Sequence, residues 1–210
     1  MQALNFIPLM EILISTVVAI VLSNLIDFLY SLPNSSIRFL KKKARHTNLR
    51  KTFLLLMTFL ALIYCENLTF LVMLYKMTAV TFLLVITVTD FEHYIIFDIV
   101  LIGFSLTGIV FAIILEVPLF ERLIAAMFGG TAFFVLLVLT RNGIGGGDVK
   151  LVASLGLWLG LEGLLSTVLL ASILGGICAL CLIITGIKSR TDFFAYGPYF
   201  CIGAACHLFS

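Results

Sequence analysis

The chain has 210 residues, of which 62% are hydrophobic and only 11% charged, with a mean hydropathy of +1.21. Soluble domains carry about 25% charged residues, so a soluble globular domain is excluded. The net charge of +2 marks no nucleic-acid partner, and the composition instead predicts an all-α, polytopic transmembrane helical bundle with the lipid bilayer as its solvent.

About eight spans are predicted in a single integral membrane domain, residues 1–210. The first runs from Ile7 to Tyr30, and a short basic loop at 31–51 follows. No basic stretch precedes the first run and no small-residue cleavage site follows it, so a cleaved signal peptide is not expected. The second span covers Thr52 to Tyr64, the third Leu68 to Thr89, the fourth Ile95 to Leu115 and the fifth Phe120 to Leu139. A glycine-rich segment, Arg141 to Lys150, interrupts the pattern. The sixth span covers Leu151 to Gly160, the seventh Leu164 to Ile187 and the last Phe193 to Leu208.

Arg38, Lys41, Lys42, Lys43, Arg45, Arg50 and Lys51 crowd the basic loop, which thereby holds more than half of the thirteen Lys and Arg. The positive-inside rule places this loop in the cytoplasm. Alternation then puts the N-terminus outside, and the turns near Asp90, Arg141–Lys150 and Lys188–Arg190 on the cytoplasmic side. Only Lys76 and Arg122 fall elsewhere; Arg122 stands beside Glu121, and Lys76 is placed to snorkel towards an interface. A run such as Lys41-Lys42-Lys43 reports topology and attraction to anionic headgroups.

Two carboxylates stand out on this map. Asp90 ends the third span, and Asp148 follows Gly145-Gly146-Gly147 at the start of the sixth. Acids at the edge of apolar segments are expensive to place. The glycines permit a tight turn and a close backbone approach. Asp148 also suits the N-cap of the sixth span, a residue preference that is general. Taken singly, each acid reads as a cap or interface residue; taken together, both fall at the cytoplasmic boundary. Two carboxylates in contact share a proton, because both cannot ionise cheaply. The charged one can take a proton from water while the neutral one hydrogen-bonds a scissile carbonyl. Such a pair titrates as a unit.

Cys178 and Cys181 form a C-x-x-C, but within an apolar helical run they read as small helix-facing hydrophobes, and no metal site is predicted.

The ordered motifs resemble the type IV prepilin peptidases. Thr87-Val88-Thr89-Asp90-Phe91-Glu92-His93-Tyr94-Ile95-Ile96-Phe97-Asp98 is similar to their first active-site motif. Gly145-Gly146-Gly147-Asp148-Val149-Lys150-Leu151 resembles their second, G-x-G-D-x-K-L. Phe194-Ala195-Tyr196-Gly197-Pro198-Tyr199-Phe200 resembles a C-terminal Phe-Gly-Pro segment, and Val21 to Pro33 resembles the N-terminal pattern. Phe97 stands where the family has proline, Ser31 where it has arginine and Leu22 where it has glycine.

The resemblance implies an aspartic endopeptidase of a bacterial cell membrane, with Asp90 and Asp148 catalytic, supported by Gly145, Gly146, Gly147 and Lys150. It implies prepilin or prepilin-like substrates, including those of secretion and competence systems, whose short basic leader is cut on the cytoplasmic side. Glu92, Asp98 and Asp192 are the acids nearest the site and the candidates for contacting leader charge. No cofactor is expected for proteolysis. Many bacterial members carry two C-x-x-C pairs thought to bind zinc and also methylate the product with S-adenosylmethionine. Here the corresponding loop is short and without cysteine, so S-adenosylmethionine is expected only if methylation is retained. The oligomeric state is left open.

Two other readings compete. A small transporter could use the same acids to carry protons or bind cations, although both acids sit at one boundary and no internal repeat is visible. A presenilin-like G-x-G-D protease would have tyrosine before its first aspartate, where this chain has Thr89.

Overall fold

A computed structural model describes residues 6–31, 47–65, 69–140, 143–187, 189 and 194–210. Among these the chain is entirely helical, in seven helices: α1 (Phe6–Ser31), α2 (Thr47–Cys65), α3 (Phe70–His93), α4 (Asp98–Ile114), α5 (Leu119–Leu139), α6 (Gly146–Ile184) and α7 (Gly197–Phe209). Four of them (α1, α3, α5 and α6) are long and apolar enough to cross a membrane by length and composition. The chain is therefore all-α, as its composition requires, with apolar helices of membrane-spanning type.

The sixth and seventh predicted spans follow one another in a continuous run, α6, which Gly160, the predicted end of the sixth, divides into two helical arms with no intervening loop. As a straight helix its 39 residues would reach about 58 Å, nearly twice the ~30 Å hydrocarbon core. Gly160 resolves the mismatch: at φ 72° and ψ −173° it breaks the helical path, a conformation that residues with a Cβ rarely adopt. The carbonyls before the break lose their helical partners. The guanidinium of Arg122 meets them, its NH1 donating to Leu157 O at 3.0 Å and also to Trp158 O. Arg122 is thus turned into the protein and buried, which its position beside Glu121 in the sequence does not reveal.

By internal contact the chain divides into two compact units, residues 1–85 and 86–210. In the first, α1 packs on α2. Arg50 and Lys51, expected in the basic loop, are instead inside α2, which begins at Thr47. Arg50 is buried and reaches back to α1, donating to Ser23 Oγ at 3.0 Å and Asp27 Oδ1 at 2.7 Å. A cation beside an apolar helix face finds its lowest energy on these acceptors. Arg38, Lys41, Lys42, Lys43 and Arg45 of that loop lie outside the described residues, as do Arg141, Lys188, Arg190 and Asp192.

In the second unit α6 is central, packed on α5, α7 and α4. Small residues let the helices approach closely, since lipid supplies no hydrophobic drive between them. A Cβ at Gly156 would lie 2.6 Å from Ala126 N of α5, so only glycine permits that crossing. Trp158 is fully buried; its indole N–H donates to Phe104 O at 2.6 Å and its ring stacks on Phe104 at 5.0 Å. Ser105 and Ser154 add a hydrogen bond of 2.9 Å between α4 and α6. These contacts fix the arm of α6 that carries Asp148.

Candidate active site

α3 runs four residues beyond its predicted end, so Asp90 lies inside its last turns rather than just after them. The helix is stopped at Tyr94, which takes φ 56°, and the Tyr94 N–H donates to Asp90 O at 2.9 Å. This is a left-handed terminus closing on the carbonyl of Asp90 itself. The side chain of Asp90 is buried, only 6% exposed. Its Oδ2 accepts the backbone N–H of Gly197 at 2.9 Å.

Asp148 is not the N-cap of its helix. α6 begins at Gly146, five residues before the predicted start, and Gly145 occupies the cap with φ −70° and ψ 140°. Asp148 sits three residues further on, and its carboxylate turns back onto the backbone of Gly145. This is one half of a capping box: the acidic third residue turns back to the cap's backbone, while glycine has no side chain to reciprocate. The glycines allow it because a Cβ at Gly145 would crowd Asp148 Oδ2 at 3.1 Å.

The structure brings the two carboxylates close enough to interact electrostatically. Both belong to the second unit, one from the end of α3 and one from the start of α6. Cys201, buried on α7, interacts with both acids and hydrogen-bonds Thr87, one turn before Asp90. Around the pair, then, stand a backbone amide, a thiol and a threonine. None of these three carries a positive charge.

The remaining site candidates divide. Lys150 Nζ donates to Asp98 Oδ1 at 2.7 Å and Oδ2 at 2.9 Å. Glu92, in the last turn of α3, is partly exposed. Gly147 rests against Ile96, whereas a Cβ at Gly146 would meet nothing within 4 Å. Phe97, in place of the family's proline, is buried and holds φ −76°, ψ 126°. Proline would take that same φ, so the turn into α4 keeps its shape without the ring constraint. Cys178 is placed beside the Tyr199 hydroxyl, joining α6 to α7.

Sequence reasoning missed Gly197 and Cys201 as neighbours of the acids. Pro198 at the second position of α7 marks a helix start and hence free N–H groups in need of an acceptor. That signal predicts some acceptor but does not name Asp90.

Comparison with known proteins points the same way. Residues 77–180 match the Type IV leader peptidase family, a stretch that contains both acids. A prepilin leader peptidase/N-methyltransferase of Aeromonas salmonicida is 36% identical over 91 residues, covering 41% of this chain and 31% of that protein. Proteins of the same name from Burkholderia pseudomallei and Xanthomonas campestris are each 36% identical, over 99 and 62 residues. These cover 43% and 30% of this chain, and 32% and 22% of the relatives. The matched region thus spans about a third of the relatives' length or less. No solved structure gives a significant match. From within α3 to the far arm of α6, the chain carries the pattern of the type IV leader peptidase family, as its motifs anticipated.

Proposed function

We propose that the chain is a membrane aspartic endopeptidase that removes the short basic leader of prepilins or prepilin-like proteins. The observation that carries the reading is that Asp90 and Asp148 stand within electrostatic reach of one another inside the family-matched segment. One carboxylate, charged, takes a proton from water. The other, protonated, donates a hydrogen bond to the scissile carbonyl oxygen. The water oxygen adds to the carbonyl carbon, and collapse of the adduct with a proton delivered to the amide nitrogen releases both fragments. At rest the pair holds one proton, assigned to neither acid alone; it gains a second from water and returns one to the amide nitrogen.

Location follows from the charge pattern. Asp90 and Asp148 lie at the ends of helices next to turns that the positive-inside rule assigns to the cytoplasm. Eight crossings with an external N-terminus of a bacterial cell membrane fit this placement. There the site meets a leader where it emerges from the bilayer, just before the substrate's hydrophobic helix. The reading stops at peptide cleavage; methyl transfer forms no part of it. Transport by the same acids finds no support in the comparisons.

The test is direct. Purified protein in detergent or liposomes is incubated with a prepilin-like precursor, and product masses are read. The expected result is one cut between the basic leader and the hydrophobic segment. An intact precursor, in the presence of folded protein, would contradict the reading.

A further inference from the structure

Two contacts flank Asp148 in the sequence, and both lead to the segment that follows Asp90. On one side, a Cβ at Gly147 would sit 3.2 Å from Ile96 Cβ, so this backbone lies directly against the Ile96 side chain. On the other, Lys150 Nζ holds both oxygens of Asp98, at 2.7 and 2.9 Å. Between His93 at the end of α3 and Asp98 at the start of α4 there are only four residues. The chain therefore runs from Asp90 through the left-handed turn at Tyr94 to two attachment points on the first turn of α6, the turn that carries Asp148.

The ion pair is a poor stabiliser. Its side chains are 58% (Lys150) and 64% (Asp98) exposed, and exposed pairs are weakened by solvent screening and by the entropy of holding two side chains. The deeper contacts, Ser105 with Ser154 and Trp158 with Phe104, already join α4 to α6. Those lie one and two turns further along α6. Nearer Asp148, Ile96 on Gly147 and Asp98 with Lys150 join the start of α6 to the segment that leads into α4. An acid at the first residue of α4 also complements that helix's dipole, so Asp98 is favoured there with its charge intact.

We propose that Asp98 and Lys150 are positioning residues: together they form a latch that sets Asp148 against Asp90. The latch rests on the reading of those two acids as the catalytic pair, and it gives Asp98 a role other than contact with the leader. A displacement of reacting groups by 1 Å can cost on the order of 100-fold in rate, so a contact worth little in stability can be worth much in turnover.

The experiment uses the full chain in detergent with a prepilin-like precursor, comparing Asp98→Lys, Lys150→Asp and the double exchange. Each single reversal should lower kcat by roughly 10- to 100-fold with KM little changed. The exchange, which restores an ion pair of opposite sense, should recover most of the loss. Unfolding midpoints should remain close to that of the unaltered protein. An exchange no faster than the slower single reversal overturns the latch. So does a rise in KM at constant kcat in Asp98→Lys, the signature of a leader contact. A second readout needs no cleavage: with Ile96→Cys and Gly147→Cys introduced, disulfide formation between them is followed by peptide mapping. It should slow in either single reversal and recover in the exchange. Unchanged crosslinking in the single reversals overturns the latch even if the protein cleaves nothing, whereas loss of cleavage by the unaltered chain alone strikes the peptidase reading.

Discussion

The backbone N–H of Gly197 donates to Oδ2 of Asp90 at 2.9 Å, joining two residues 107 positions apart. The contact makes the start of α7 part of the site. A Cβ at Gly197 would stand 2.7 Å from the same oxygen, so the position is closed to any other residue unless Asp90 moves. Gly197→Ala is expected to slow leader cleavage by roughly 10- to 100-fold through displacement of that carboxylate. Overpacking should also destabilise the fold by about 1–3 kcal/mol. Single-turnover cleavage together with thermal unfolding in detergent separates the two effects; a full cleavage rate would show that Asp90 does not depend on this amide.

The three glycines before Asp148 are not equivalent. Nothing lies within 4 Å of a Cβ at Gly146, whereas one at Gly145 meets Asp148 Oδ2 at 3.1 Å and one at Gly147 meets Ile96 at 3.2 Å. Alanine at Gly146 should therefore retain the most activity of the three, since it fills open space and improves helix propensity by about 1 kcal/mol. Alanine at Gly145 should reduce kcat by acting on the carboxylate, and alanine at Gly147 by acting on the segment that leads from Asp90. Equal losses at all three positions would contradict this geometry.

Gly160 and Arg122 form one structural unit at the bend of α6. Arg122→Met keeps much of the side chain's bulk but leaves the carbonyls of Leu157 and Trp158 without their donor. Buried unsatisfied acceptors cost roughly 1–3 kcal/mol each, and the unfolding midpoint should fall accordingly. Gly160→Ala, forced into φ 72° and ψ −173°, a region essentially restricted to glycine, should cost about 1–3 kcal/mol on its own. Combined, the two changes are expected to be less than additive, because a bend that relaxes needs its cap less. Additive losses would mean that bend and cap are independent.

Much of this architecture was legible in the apolar runs. The ends of α1 and α5 lie within about a residue of the predicted limits, because a long hydrophobic stretch between polar residues leaves little freedom. The start of α6 was not legible: glycines at 145–147 read as a loop, yet Gly145 occupies the helix cap and Asp148 turns back onto its backbone. The break in α6 at Gly160 coincides with the predicted end of the sixth span, but the absence of a loop after it was not legible. Asp90 and Asp148 were marked by their motifs, and the structure sets them within electrostatic reach of one another. The roles of Arg50, Arg122 and Gly197 were not legible, because each is defined by a distant partner: Ser23 and Asp27, the carbonyls at Leu157 and Trp158, and Asp90. Local sequence announces a donor or an acceptor, while only the fold supplies its mate.

The central claim is that Asp90 and Asp148 act as one catalytic unit. Cleavage of a prepilin-like precursor by Asp90→Asn, Asp148→Asn and the double variant tests it most directly. Groups that act together are not additive on removal. Each single variant should lose essentially all leader removal while remaining folded in the membrane, and the double variant should be no worse than either. Robust cleavage by one of the single variants, or losses that multiply in the double variant, would contradict the paired mechanism.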